Sequence, residues 1–243
     1  MWAELGSTAT FWWRDDDAVE DTVELRRLLE LSGRYHVPLA IAAIPARADK
    51  SLSRALAEAS KTSVLQHGYA HQNHAADQRG KSELGPERPL AAVLEDLTAG
   101  RARMNACFGV LWSPILVPPW NRIHATVAAA LPGLGYQGLS SMGKHGTPDA
   151  APGFKRIDVH MDLIDWPGTR SFAGDDTVLE AALEHLRRRR AGVTNPDEPT
   201  GLMTHHLAHD DGCWAFIDSF LAATSRHPAA RWTDTASAFG LDP

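Results

Sequence analysis

The residues that can most readily do chemistry in this sequence are three aspartates and two histidines. Asp15, Asp16 and Asp17 directly follow an aromatic stretch, and His67 and His71 open the segment HGYAHQNH. If that segment forms a helical turn, four residues advance about 400°, so both imidazoles stand on one face and can share an ion. One carboxylate and two imidazoles suit Zn²⁺ or another divalent transition metal. The alternatives are a polar loop with incidental histidines and aspartates that cap the following helix.

Two further segments provide candidates for proton transfer and substrate contact. His205 and His206 lie in THHLAHDD, where an imidazole near a metal ion and a carboxylate could serve as a general acid. The alternative there is a helix cap without metal. The segment LVPPWNRI supplies a rigid turn with Trp120, and Trp166 is a second tryptophan that could stack on a sugar face. A single tryptophan is more often part of a core than a ligand contact.

These segments need a scaffold that brings distant parts of the chain together. Strand-like apolar runs alternate with helical periodicity along the whole chain, starting with a predicted strand over residues 8–13, a helix over 18–35 and a strand over 37–45. About seven such strands predict an α/β barrel formed by one domain, residues 1–243. The candidate residues follow predicted strands, so we expect them at one mouth of the barrel. The loops at 72–89 and 143–153 are expected to shape the pocket.

The composition argues against several classes of function. With 24 Lys+Arg against 30 Asp+Glu among 243 residues, the net charge is −6, which predicts no broad surface for nucleic acid or anionic membranes. No run of 18 apolar residues occurs, and the N-terminus lacks the pattern of a secretory signal, so a cytoplasmic protein is expected. Cys107 and Cys213 are far apart and show no CxxC spacing, which predicts neither a disulfide framework nor a sulfur-ligated zinc site.

Taken in order, the motifs resemble those of one known family. WRDDDA, HGYAH, PPWN, DLIDW and LMTHH are similar to the successive motifs of the polysaccharide deacetylases, the NodB-homology or carbohydrate esterase family 4-like proteins, over nearly the whole chain. The resemblance implies a distorted (β/α)₇ barrel and a hydrolase that removes N-acetyl, or alternatively O-acetyl, groups from a carbohydrate. It also implies a divalent metal, with Zn²⁺ the first expectation, held by one aspartate and two histidines.

The resemblance assigns roles to the first two clusters. In the preferred alignment of the first motif, Asp16 is the general base and Asp17 is the metal ligand. The alternative alignment gives these roles to Asp15 and Asp16. The second motif makes His67 and His71 the imidazole ligands of the metal.

The third motif departs from the family pattern. It usually reads Arg-x-Pro-x-Gly, with the arginine steadying the base, but Val117 occupies the arginine position and Asn121 the glycine position here. Because a guanidinium can bind a carboxylate from more than one direction, Arg122 or Arg14 is expected to replace it.

The last two motifs imply the acid and its partner. Asp165 matches the aspartate that orients the catalytic histidine, and either His205 or His206 matches that histidine. We favour His205, because neighbouring residues of a strand face opposite sides. The residues expected to contact the substrate are Pro119, Trp120, Asn121, Arg122 and Trp166.

The expected substrate is a small saccharide or glycan, and the absence of an export signal favours a cytoplasmic saccharide precursor. The rival hypothesis is a barrel that has lost catalysis and binds a glycan or a protein partner, because a fold does not guarantee a function.

Overall fold

The computed structural model describes residues 2, 6–76, 80–142 and 153–241, so most of the predicted loop at 143–153 lies outside the described residues. The strands are β1 (Ala9–Ala18), β2 (Leu39–Ala43), β3 (Thr62–His67), β4 (Trp112–Val117), β5 (Gly138–Leu139), β6 (Lys155–Arg156), β7 (Met161–Asp162), β8 (Thr200–Thr204) and β9 (Ala230–Trp232). The α-helices are α1 (Val23–Tyr35), α2 (Lys50–Glu58), α3 (Leu90–Phe108), α4 (Ala125–Ala130), α5 (Asp175–Arg190), α6 (Asp211–Thr224) and α7 (Thr235–Phe239).

The strands form one parallel sheet in the order β6-β5-β4-β3-β2-β1-β8-β7, and β9 also pairs with β1. Parallel neighbours need a crossover between them, and helices supply most of these connections. The sheet curls into a half-barrel with helices around it, which confirms the predicted (β/α)₇ type of fold. Because the strands share one direction, their carboxyl ends lie along the same rim.

The two sides of the sheet bury different side chains. Alternate residues of a strand face opposite sides, so Trp12 and Met203 pack in the inner core, whereas Trp13 and Leu202 pack in the layer beneath the helices. Burying each large apolar side chain contributes about 1.5–3 kcal/mol to folding. This division between inner and outer side chains decides below which candidate residues can meet a substrate.

The start of α1 settles one of the alternatives for the aspartates. The Thr22 side chain accepts a hydrogen bond from the Leu25 N–H and caps the helix. The aspartate triplet lies on β1, five residues or more before that cap. The predicted end of the first strand at residue 13 is wrong, because β1 continues through the aspartates to Ala18.

The structure also contains two elements that the periodicity did not predict. β9 has three residues and α7 has five, too few for a periodic pattern to stand out. Phe239 of α7 is buried in the inner core with its ring edge against Trp12, at 5.9 Å between ring centroids. Phe239 thus fills part of the half-barrel interior beside Trp12.

Candidate active site

A bulge in β1 turns two consecutive carboxylates towards the barrel interior. Arg14 and Asp16 share the inner side of the strand, and Asp15 faces the opposite side. The pairing of β1 with β2 shifts register after Asp15, and Asp17 has φ of 75°. Such bulges re-aim side chains beside active sites, and here Asp17 faces the same rim as Asp16.

Asp17, His67 and His71 converge, as the sequence predicts for a metal site. Asp17 Oδ1 lies 3.1 Å from His67 Nε2 and 3.2 Å from His71 Nε2. The three candidate ligand atoms lie within 4.8 Å of one another. His67 ends β3, which only β2 separates from β1, and the carboxyl ends of these parallel strands lie on the same rim.

The hydrogen bonds around this trio fit a cation. His67 Nδ1 lies 3.0 Å from the Val117 carbonyl oxygen, which can only accept, so Nδ1 carries a proton. In the neutral ring Nε2 therefore presents a lone pair to the Asp17 carboxylate. Asp17 Oδ1 is buried and has no hydrogen-bond partner among the described residues. A metal ion between these atoms satisfies both lone pairs.

The electrostatics of the trio agree with this fit. Burial would raise the pKa of Asp17, but the close approach and positive charge of a protonated His67 outweigh it and lower that pKa strongly. Burial would lower the pKa of His67, yet Asp17 and the charge of Asp16 raise it. Burial and the charge of His67 lower the pKa of His71. The carboxylates thus favour positive charge at this point, whether a proton or a metal ion supplies it.

The loop that joins the two histidines is not helical, so the prediction of a helical turn is wrong. Gly68 and His71 both have φ of 56°, in the left-handed region. This backbone folds the loop back on itself and brings the two rings to 5.1 Å between centroids. The same pairing of imidazoles is reached by a different local structure.

Arg14 is the cation that holds the candidate base. Its Nε and Nη2 donate to the two carboxylate oxygens of Asp16 at 2.8 Å and 2.9 Å. It also donates to Ser140 and to Asn121 Oδ1. Arg14 is fully buried and Asp16 is 2% exposed. Of the two arginines expected near the base, Arg14 binds Asp16, and Arg122 is exposed with its guanidinium beside Gly80.

Asp15 and His206 form a separate buried pair on the helix side of the sheet. The Asp15 carboxylate accepts hydrogen bonds from the Thr204 hydroxyl, the His206 backbone N–H and His206 Nδ1. The side chains are 0% and 1% exposed. The prediction that Asp15 or His206 acts in catalysis is therefore corrected, because neither faces the barrel mouth. The alternative alignment, with Asp15 as base and Asp16 as ligand, is excluded for the same reason.

His205 faces the mouth, and Asp162 is the carboxylate beside it. Asp162 and His205 lie close enough for their charges to interact, and the charge of His205 also lowers the pKa of Asp17. Asp162 accepts from the Trp166 indole N–H at 2.9 Å, and the Trp166 ring packs edge-on against His205 at 4.9 Å. Burial raises the pKa of Asp162.

Asp165 has a different place from the one predicted. Its carboxylate accepts the backbone N–H groups of Gly168 and Thr169, so it stabilises its own turn. The sequence predicts a strand over residues 163–165, whereas β7 ends at Asp162, three residues earlier. Asp165 therefore lies in the turn after the strand and not at the strand end, where it was expected to orient His205. Asp162 was missed, although the sequence HMDLIDW shows both aspartates.

The turn after β4 lies against the metal trio. Trp120 and Asn121 both have φ of 55°, which explains why the family pattern has glycine at the position of Asn121. The Trp120 ring packs on His71 at 4.3 Å between centroids, and Pro119 is buried beneath. Trp120 and Trp166 thus stand beside His71 and His205, the two histidines nearest the mouth.

A second group of potential ligands, His160, His185 and Glu198, lies near the amino end of β8. The Gly201 N–H donates to His160 Nδ1 at 3.0 Å, so the proton of the neutral ring is on Nε2. The rings of His160 and His185 stack at 3.3 Å with 18° between planes, so their in-plane lone pairs run side by side and do not meet. This group does not fit a metal ion.

Comparisons with known proteins agree on the fold. Neither a protein-family model nor a curated protein matches the sequence. A Mycobacterium smegmatis protein described as a polysaccharide deacetylase superimposes with a TM-score of 0.67 at 16% identity, covering 97% of this chain and 90% of that chain. A family 4 acetyl xylan esterase from Clostridium thermocellum, in complex with a cobalt ion, gives 0.58 at 13% identity, covering 96% and 91%.

A third structure is a mutant of a family 4 pseudoenzyme with restored activity. It gives a TM-score of 0.61 at 13% identity, covering 96% of this chain and 68% of that chain. Among the described residues, no helix has both the length and the apolar character of a membrane span.

The three superpositions show that the chain has the fold of the polysaccharide deacetylases and family 4 carbohydrate esterases, which its motifs resemble.

Proposed function

We propose that this protein is a metal-dependent hydrolase that removes acetyl groups from a carbohydrate, with N-acetyl groups as the main substrates. The observation that carries this proposal is the arrangement at one rim of the sheet. A trio suited to a metal ion, an arginine-held carboxylate and a histidine with its own carboxylate all face the same mouth. These are the groups that hydrolysis of an amide by activated water requires.

Asp17, His67 and His71 are proposed to hold a divalent metal ion, with Zn²⁺ as the first choice. Three nitrogen and oxygen ligands leave coordination positions open for water and substrate. When bound, such an ion polarises the acetyl carbonyl and acidifies water, which supplies a nucleophile at neutral pH. A cobalt ion is present in one structure with the same fold, which supports a divalent transition metal here.

Asp16 is proposed to take the proton of the attacking water. Arg14 donates to both of its oxygens, and this bidentate contact fixes the direction of the carboxylate. The remaining lone pairs of Asp16 are available to the water, because a carboxylate offers about four acceptor positions. The base is thus held by a residue of its own strand, two positions earlier.

His205 is proposed to donate a proton to the leaving amine. Asp162 lies beside it, close enough for the charges of the two groups to interact. The indole N–H of Trp166 donates to the Asp162 carboxylate, and the Trp166 ring packs against His205. Trp166 thus orients Asp162 and also forms part of the wall of the mouth. A metal-activated water on one side and a proton donor on the other suit hydrolysis of an acetamido group.

The substrate is proposed to be a saccharide bound between Trp120 and Trp166. Trp166 is 38% exposed, which is unusual for so large an apolar ring and suits contact with a sugar face. Pro119, Asn121 and Arg122 complete the neighbouring turn.

The test is release of acetate by the purified protein from small N-acetyl sugars. The protein is stripped with a chelator, reloaded with one divalent metal at a time, and assayed beside an Asp16→Asn variant as control for contaminating esterases. We expect stoichiometric metal binding and metal-dependent turnover in the wild type alone. Metal binding without turnover on N-acetyl or O-acetyl sugars would favour the binding-module hypothesis, and failure to bind any divalent metal would refute the proposal.

A further inference from the structure

Glu83 is a buried carboxylate that the proposed mechanism leaves unused. It is 2% exposed and lies in the segment between the histidine loop, defined as residues 68–72, and α3. Its oxygens accept backbone N–H groups from three residues of that loop: Tyr69 at 3.0 Å, Ala70 at 2.8 Å and Gln72 at 3.3 Å. Three backbone N–H groups thus surround one carboxylate, as in the backbone nests that bind anions, and here a side chain of the same protein supplies the anion.

Gly68 makes this close approach feasible. A Cβ at this position would lie 2.0 Å from Glu83 Oε2 and 2.6 Å from Pro119 Cγ. The left-handed backbone at Gly68, with φ of 56°, also suits glycine. The loop between the two histidines therefore has the one residue type that admits a carboxylate beneath it.

The loop needs such a contact, because its shape is strained. His71 is a non-glycine residue in the left-handed region, which costs free energy. Hydrogen bonds to a charged acceptor are stronger than those between neutral groups, so those of Glu83 can offset that cost. They bracket His71, since Ala70 and Gln72 are its two neighbours.

The segment that carries Glu83 is itself fixed to the scaffold. Leu84 is 1% exposed and pairs with Ile123, and its carbonyl oxygen accepts the His124 N–H at 2.9 Å. The Ser82 carbonyl oxygen accepts the His74 N–H at 2.9 Å. The backbone on each side of Glu83 is thus held by hydrogen bonds of its own, through Ser82 and Leu84.

We propose that Glu83 is a positioning residue that preforms the His71 arm of the metal site, so that the ligand geometry exists before any metal binds. This inference rests on the proposed metal site at Asp17, His67 and His71. Partners that orient metal ligands without touching the ion typically change metal affinity by about 10-fold to 100-fold when mutated.

The first test measures Zn²⁺ affinity of metal-free protein by calorimetry, with no substrate present. Glu83→Gln keeps the size of the side chain but replaces one acceptor oxygen with an NH₂ group that faces N–H donors. Glu95→Gln, an exposed position on α3, makes the same change of charge elsewhere. We expect Zn²⁺ affinity to fall by about 10-fold to 100-fold in Glu83→Gln alone. Wild-type affinity in a folded Glu83→Gln variant would overturn the inference.

The second test needs no variant and decides the case in which Glu83→Gln fails to fold. Amide hydrogen exchange is measured by NMR on the metal-free wild type. If Glu83 preforms the loop, the amides of Tyr69 and Ala70 are protected without metal. Exchange at the rate of an unstructured peptide, with protection only after Zn²⁺ is added, would show that the metal shapes the loop and would overturn the inference. Neither readout depends on deacetylation, and a wild type that binds no metal would instead refute the proposed function.

Discussion

Replacing Asp15 should cost stability and leave the chemistry intact, although its neighbour Asp16 is the proposed base. Asp15 is fully buried and accepts three hydrogen bonds, two of them from His206. Asp15→Ala removes one partner of a buried ion pair, which typically costs about 3–5 kcal/mol. At about 2–4 °C per kcal/mol for a chain of this size, Tm should fall by roughly 6–20 °C. Asp15→Asn keeps one acceptor oxygen and should cost about 1–3 kcal/mol.

The assay is urea and thermal denaturation of both variants and the wild type at about pH 6, which lies between the lowered pKa of Asp15 and the raised pKa of His206. Burial opposes the charge of each group, yet His206 lowers the pKa of Asp15 and Asp15 raises the pKa of His206. The contribution of Asp15 is therefore lost as pH falls below 3.8, and that of His206 is lost as pH rises through its raised pKa. Activity is measured well below the unfolding temperature. An Asp15→Ala protein as stable as the wild type, or a folded Asp15→Asn protein without activity, would refute this assignment.

Three further outcomes follow from the site. Asp16→Asn should lower kcat by about 10²-fold to 10⁴-fold while Zn²⁺ affinity stays close to that of the wild type. A variant with wild-type kcat would show that Asp16 is not the base. Asp162→Asn should lower kcat/KM by about tenfold or more, whereas Asp165→Asn should leave it nearly unchanged; the reverse order would restore the role first predicted for Asp165. Burial lowers the pKa of His209 to about 4, and its Nε2 accepts the His205 N–H, so the free energy of unfolding should decline as pH falls from 6.5 towards 4. His209→Asn should flatten that slope in urea titrations at several pH values, and an unchanged slope would contradict this explanation.

The sequence was sufficient for the order of most strands and helices and for bringing an aspartate near His67 and His71. Strong apolar runs such as the buried LAIAA of β2 mark central parallel strands, and polar residues that follow such runs gather at one rim. The grouping of one aspartate of the triplet with His67 and His71 was therefore predictable, and the family resemblance selected Asp17. The helical turn assumed for HGYAH was wrong, because Gly68 and His71 adopt left-handed backbone that a spacing argument does not detect.

The choices between neighbouring residues depended on which side of the sheet each one faces. Asp15 and Asp16 face opposite sides of β1, whereas His205 and His206 follow the end of β8, where His206 turns towards Asp15. Asp162 was missed because the strand boundary was misplaced by three residues. Glu83 was missed because its contacts form across a long loop, and the only local sign was a glycine between the two histidines.

The sequence of β1 also constrains how the strand can align with its neighbours. If every residue of β1 moved one position towards the amino end of the strand, Asp16 and Asp17 would occupy the sites of Asp15 and Asp16, while Ala18 would replace Asp17 in the candidate metal site. Arg14 does not tolerate this shift, because its guanidinium would leave Ser140 and Asn121 and enter the apolar layer under the helices. The buried Arg14 thus penalises an alignment that would keep two of the three carboxylate sites filled, and its loss should first appear as slippage of β1 during folding.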